Sequence, residues 1–221
     1  MKKVIFAIML LIMFAATIGC TSSTVETVTP LIEADVTHDD GIKETIYLDK
    51  TQMKSIFDVT LRVLDSGGNE IWSESANTAH PGWNSLFLCE QDGESYLLRY
   101  RPTMYQGYGS YVYTLFTLEG GKEKDFRTAM LEFDTTETKE LDTPKMITFA
   151  DEVNALLGNS ILLVSTDGGD FHFGPSSPEP FFERYSWLDL YPELFEAGDS
   201  LETRLNKFNE YAVSNYRLHN S

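Results

Sequence analysis

Residues 83–118 read WNSLFLCEQDGESYLLRYRPTMYQGYGSYVYTLFTL, and this stretch decides the fold. The Asp-Gly pair at residues 92–93 is typical of a two-residue hairpin turn, because both residue types tolerate a positive φ. Such a turn pairs Gln91 with Glu94 and thereby sets the register of the two strands that it joins. The stretch therefore predicts a hairpin, a Gly/Tyr-rich loop after it, and a third strand over residues 111–118.

This register divides the hairpin into two faces, because residues that face each other across a strand pair lie on the same side of the sheet. One face ends in Arg99 and Arg101, with leucines nearer the turn. The third strand is apolar on both faces, which is typical of a strand in the middle of a covered sheet. The other face of the hairpin is predicted to lie in the core: Phe87, Cys89, Tyr96, Leu98 and Tyr100.

Shorter runs with the period of a half-buried strand flank this stretch, at residues 57–63 and 128–134, with weaker signals at 43–49 and 70–75. After Pro144, which suits the first turn of a helix, the apolar residues follow a helical spacing. The sequence predicts an α+β domain over residues 42–221. Its antiparallel β-meander has about six or seven strands, strand-rich to about residue 135, and the C-terminal helices cover it.

Several details of the C-terminal third depend on local signals. Residues 161–165 fit either a strand or a continuation of the first helix, and the pattern leaves both open. Short helices are predicted over residues 178–185 and 192–197. Asp199 and Glu202 resemble a capping pair at the start of the last helix.

The amino terminus carries two lysines, an uncharged apolar run over residues 4–16, and then Thr17-Ile18-Gly19-Cys20. This segment resembles the signal peptide and lipobox of bacterial lipoproteins, with Thr at a position where Leu is commonest. The chain is similar to bacterial lipoproteins of no assigned role, specifically over its first 20 residues. An ordinary signal peptide that ends near a Cys is the alternative.

The resemblance implies that residues 1–19 are removed and that Cys20 carries a diacylglycerol lipid and palmitate. The domain would then be anchored to the cell membrane and face outside the cytoplasm. Residues 20–41, rich in Ser and Thr at their start, are expected to form a flexible tether.

The chain has a formal charge of −17, which excludes nucleic acid as a partner on electrostatic grounds and favours cationic partners, divalent metals or simple solubility. Only two cysteines are present, so a lipid on Cys20 would leave no intramolecular disulfide. We expect a monomer without a cofactor other than the lipid.

Few residues suggest chemistry. Cys89 lies on the predicted core face, which favours an inert thiol. Asp167, Asp170 and His172 surround a Gly-Gly pair and are weak metal candidates, although a turn explains them more simply. We find no catalytic motif, including the Gly-x-Ser-x-Gly elbow of many hydrolases, and the sequence favours a protein that is not an enzyme.

The best candidate for a ligand site is the end of the hairpin and the Gly/Tyr-rich loop, with Arg99, Arg101, Tyr105, Tyr108 and Tyr111. Exposed tyrosines stack on sugars or protein surfaces, and the two cations suit an acidic group. In the alternative interpretation the tyrosines pack over a sheet end and the arginines pair with acidic neighbours.

These features predict a binding or structural module of the cell envelope, with a glycan or a protein as ligand. One alternative is a hydrolase of envelope or nutrient polymers. Another is an acidic protein of the inhibitory or immunity type, which masks a basic partner.

Overall fold

The computed structural model describes residues 25–39, 41–53, 56–77, 84–105, 108–135, 141–167, 170–178 and 192–219. Within these ranges, ten strands form two antiparallel sheets, and two α-helices lie in the C-terminal third. The α+β class with a strand-rich meander, predicted from the sequence, is confirmed.

The first sheet is a meander in chain order of β1 (Val25–Ala34), β2 (Glu44–Met53), β3 (Ile56–Leu64) and β4 (Glu70–Asn77). Strand β1 falls within the stretch that we expected to be a tether. It contains Pro30, which is tolerated because β1 forms the edge of the sheet, and the pairing with β2 shifts register just after this residue.

The second sheet has six strands in the order β10-β9-β5-β6-β7-β8. Residues 160–167 are a strand, so the helical alternative for 161–165 is wrong. The strands are β5 (Ser85–Gln91), β6 (Glu94–Tyr105), β7 (Tyr108–Glu119), β8 (Lys122–Asp134), β9 (Ser160–Asp167) and β10 (Asp170–Ser176).

The register predicted from the turn at residues 92–93 is confirmed. Gln91 pairs with Glu94 and Ser85 with Tyr100, and both turn residues have a positive φ. The predicted Gly/Tyr-rich loop is wrong in its described part, however, because β6 extends to Tyr105, β7 starts at Tyr108, and these two residues pair with each other. Gly109 suggested a loop, but the ring of Phe133 packs directly against its backbone.

Three layers result. The helices α1 (Thr143–Gly158) and α2 (Leu201–His219) cover one face of the second sheet, and the first sheet covers the other. We expected the C-terminal third to supply the cover, and it does so on one face alone. The core between the sheets includes Ile46, Leu61 and Val63 of the first and Leu86, Leu97 and Phe116 of the second.

The helix ends follow local chemistry. The Asp142 side chain accepts the Lys145 backbone N–H at 3.0 Å, which caps α1. Helix α2 is capped by Ser200, whose Oγ accepts the backbone N–H of Thr203, so the predicted cap at Asp199 is wrong. Asp199 instead bonds to Lys207. Residues 192–194 form a short 3-10 helix, and the helix expected over 178–185 falls almost wholly outside the described residues.

Candidate functional site

The two candidate arginines connect the sheets. Arg99 of β6 bonds through Nε to Glu74 of β4 at 3.0 Å and through Nη1 to Glu123 of β8 at 3.0 Å. Its guanidinium lies 4.6 Å from the centre of the Phe116 ring, and its side chain is 12% exposed. Arg101, which is 47% exposed, bonds to the same Glu74 at 3.2 Å. Both positive charges are thus balanced by carboxylates of the chain itself.

The candidate tyrosines do not gather around these arginines. Tyr111 is buried on the opposite face of the sheet, where it stacks on Phe133 with 5.9 Å between ring centres. Tyr108 is exposed, and its hydroxyl donates to Glu132. The side chain of Tyr105 is outside what the structure describes. The placement of the arginines and of Tyr111 agrees with the alternative interpretation of this stretch, in which the arginines pair with acidic residues and the tyrosines pack on the sheet.

The weak metal candidates lie on the β9–β10 hairpin. Asp167 pairs with Asp170 in the backbone register, as expected for a turn, and their side chains are not described. His172 is half-buried on β10. Among the described side chains, no group of three or more His, Cys, Asp or Glu is placed to hold a metal ion.

The Cys89 thiol is fully buried between β5 and α1, with Sγ 3.6 Å from the carbonyl oxygen of Leu156. Burial raises the pKa of this thiol, because it disfavours the thiolate. A buried thiol with a raised pKa is a poor nucleophile. Cys20, the proposed lipid site, lies outside the described residues.

A groove of about 590 Å³ opens at the other end of β7, far from the Tyr108 hairpin. The β1–β2 connection, the β3–β4 turn and the β7–β8 turn form its walls. Gly121 brings the last turn against β4, because a Cβ at this position would lie 2.9 Å from the carbonyl oxygen of Ile71. Four acidic residues, namely Asp39, Asp65, Glu119 and the buried Glu44, and three apolar residues, namely Ile42, Ile71 and Leu118, are among those that line it.

The β1–β2 connection is hydrogen-bonded to both β6 and β7, at the ends where these two strands no longer pair with each other. The pairing of these strands begins at Leu97 and Phe116, which leaves the backbone beyond them to other partners. The Val36 carbonyl accepts the Leu118 N–H at 2.9 Å, and His38 Nε2 lies 2.8 Å from the Ser95 carbonyl oxygen.

The buried carboxylate of Glu44 holds the same connection from inside. It accepts the backbone N–H of Val36 at 2.9 Å and the hydroxyl of Thr37 at 3.0 Å. His38 has a φ of 57°, and its backbone N–H donates to Asp35 at 2.8 Å. The groove wall is therefore preformed, which lowers the entropy cost of binding a ligand.

A second cavity, of about 170 Å³, adjoins the groove and shares His38 and Glu119 with it. Three aromatic rings line it in a row. The ring centres of His38 and Tyr96 are 4.8 Å apart, as are those of Tyr96 and Phe126. Phe126 is 56% exposed, which is unusual for a side chain of this size.

Sequence reasoning missed both cavities. His38 stands in a His-Asp-Asp-Gly run that suggests a turn and nothing more. Phe126 is the one residue whose sequence context indicates a site, because it is a lone aromatic residue in the charged run Lys-Glu-Lys-Asp-Phe-Arg at residues 122–127. The groove itself combines three turns that are distant in sequence, and short-range patterns do not show such a combination.

Within the described residues, no helix is long and apolar enough to cross a membrane. No family model matches the chain, and neither the curated proteins nor the solved structures contain a match.

Proposed function

We propose that the protein is a lipid-anchored binding module outside the cytoplasm, and that its acidic groove holds a positively charged polypeptide segment. The observation that carries this proposal is the lining of the groove, in which the carboxylates of Asp39, Asp65 and Glu119 occur together with apolar side chains. The lipid anchor is supported by the resemblance of residues 1–20 to a lipoprotein signal peptide.

The charge of the groove favours a cationic ligand. No Lys or Arg lies among its described lining residues, and the whole chain carries −17. A concave surface lined by one sign of charge concentrates the field and attracts ligands of the opposite sign. The apolar lining residues can contact the aliphatic stems of such a ligand.

The acidic surface also supports the inhibitory or immunity-type alternative, in which the basic segment belongs to a partner protein that is masked. The hydrolase alternative has less support from the groove. The Thr37 hydroxyl donates to Glu44, and His38 Nε2 lies against a backbone carbonyl, so these two side chains do not form a nucleophile–base pair.

The ligand test uses the full-length protein in detergent, with tetralysine, tetra-arginine, tetraglutamate and chitotetraose as probes in calorimetry. We expect the two basic peptides to bind, with an affinity that falls as salt rises. The variant Asp39→Asn, at an exposed groove residue, should weaken their binding about two- to fivefold, which corresponds to one exposed charge pair.

Asp151→Asn is the matched control, because Asp151 is exposed on α1, away from the groove. An equal loss in both variants would mean that the peptides respond to diffuse charge. Binding of chitotetraose without binding of the basic peptides would replace the proposal with a glycan site.

The anchor has its own test. In a bacterial host, we expect Cys20→Ala to abolish labelling with palmitate and to release the protein from the membrane fraction, because the thiol is the proposed attachment point. Fractionation and labelling of the wild type and the variant would measure this. Unchanged membrane association of the variant would contradict the anchor and leave the groove proposal intact.

A further inference from the structure

We infer that the smaller cavity is a subsite for one cationic side chain, lysine or arginine, of the basic segment that the groove binds. This inference rests on the proposed function and adds the place where one side chain of the ligand is recognised. It depends on the position of Phe126, on the charges beside it, and on how this chain holds its own cations.

Phe126 is directed outward by a β-bulge. In the pairing of β7 with β8, Leu115 faces Arg127 and Phe116 faces Asp125, so Phe126 is the extra residue between them. Bulges change the direction of a side chain and are over-represented beside functional sites. The displaced ring lies against Tyr96 at an angle of 34° and keeps more than half of its surface exposed.

Carboxylates line the same cavity. Glu119 and Asp125 both contribute to its wall. The face of an aromatic ring attracts cations, and carboxylates beside it strengthen the preference for a positive charge. An exposed ring and two carboxylates in one cavity suit a side chain that has an aliphatic stem and a charged head.

The chain places two of its own cations against aromatic rings, and one of these cations is also bonded to carboxylates. The Arg99 guanidinium lies over Phe116 and is bonded to two carboxylates. The Lys50 ammonium lies 3.3 Å from the centre of the Phe173 ring. At the smaller cavity a ring and carboxylates are present together, and the Phe126 side chain that supplies the ring is 56% exposed.

Lys124 allows a test that distinguishes cationic from anionic ligands. Its ammonium is paired with Glu119 at the rim of the cavity, where it competes with any incoming cation. Lys124→Gln should therefore tighten binding of tetralysine and tetra-arginine about two- to fivefold. An anionic ligand would instead lose affinity in this variant.

Phe126→Leu tests the ring, because leucine keeps an apolar side chain and removes the π face. We expect tetralysine and tetra-arginine to bind the variant about three- to tenfold more weakly, and Phe126→Trp to restore or exceed the affinity of the wild type. Met130→Leu is the matched control, an exposed apolar residue on the same strand that does not line the cavity, and it should change nothing.

The outcomes separate this inference from the proposed function. If the wild type binds neither basic peptide, the proposed function fails. If Asp39→Asn weakens binding but the Phe126 and Lys124 variants do not change it, the subsite is wrong and the groove stands. If Phe126→Leu reduces binding of chitotetraose alone, the ring is a sugar platform and the inference is overturned. If Phe126→Leu does not fold, the affinities of Phe126→Trp and Lys124→Gln for the basic peptides decide whether the subsite is correct.

Discussion

Replacing Arg99 with methionine should lower the free energy of unfolding by about 2–4 kcal/mol at neutral pH. The substitution removes the cation that Glu74 and Glu123 share at the border between the two sheets, and Glu74 keeps its bond to the more exposed Arg101. A half-buried carboxylate that loses its cation keeps its desolvation cost and loses the attraction that offset it. Urea denaturation followed by tryptophan fluorescence would measure the difference.

Arg101→Met is the matched control, because Arg101 bonds to the same Glu74 but is much more exposed. We expect it to cost less than about 1 kcal/mol, as is usual for exposed pairs. Equal losses of unfolding free energy in the two variants would show that the burial of Arg99 does not increase its contribution to stability.

The effect of Arg99→Met should depend on pH. The hydrogen bonds from Arg99 lower the pKa of Glu123 below its ordinary value of 4.5. A carboxyl group whose pKa is lowered by folding stabilises the native state above its unfolded pKa, and this contribution is lost as pH falls through the folded value. The difference between wild type and variant should thus be full above pH 4.5 and shrink below it. A difference that is constant across this range would contradict the assignment.

Gly109→Ala should destabilise the protein by about 1–3 kcal/mol, although alanine is only one methyl group larger. A Cβ at this position would lie 2.5 Å from the ring of Phe133, which packs on Tyr111 and on Phe208 of α2. The φ of Gly109 is outside the left-handed region, so the cost is steric. Thermal and chemical denaturation would measure it.

A double-mutant cycle makes this prediction specific. In a Phe133→Leu background the smaller side chain leaves room for the methyl group, so the added cost of Gly109→Ala should fall by about half or more. Gly158→Ala, at the end of α1, is the control, because no atom lies within 4 Å of the Cβ position there. An undiminished cost in the double variant would mean that the ring is not the obstacle.

Local turn chemistry explains what could be predicted from the sequence. The Asp92-Gly93 pair determines which residues face each other for the whole length of the β5–β6 hairpin, and so which side of the sheet Arg99 occupies. The partners of Arg99 could not be predicted, because Glu74 belongs to the other sheet. At Gly109 the sequence predicts a loop, and this prediction is wrong. Gly109 lies in β7, where the absence of a Cβ leaves room for the Phe133 ring of β8.

Strand β1 also has a consequence for orientation at the cell surface. Its ten residues, at about 3.3 Å each, span about 30 Å from Val25 to Ala34, and the groove begins just beyond Ala34. If Cys20 is anchored in the bilayer as proposed, the chain enters the domain at Val25, at the far end of this strand from the groove. The length of the strand would then separate the groove from the lipid. The groove would face away from the membrane, and a basic segment would reach it from outside the cell.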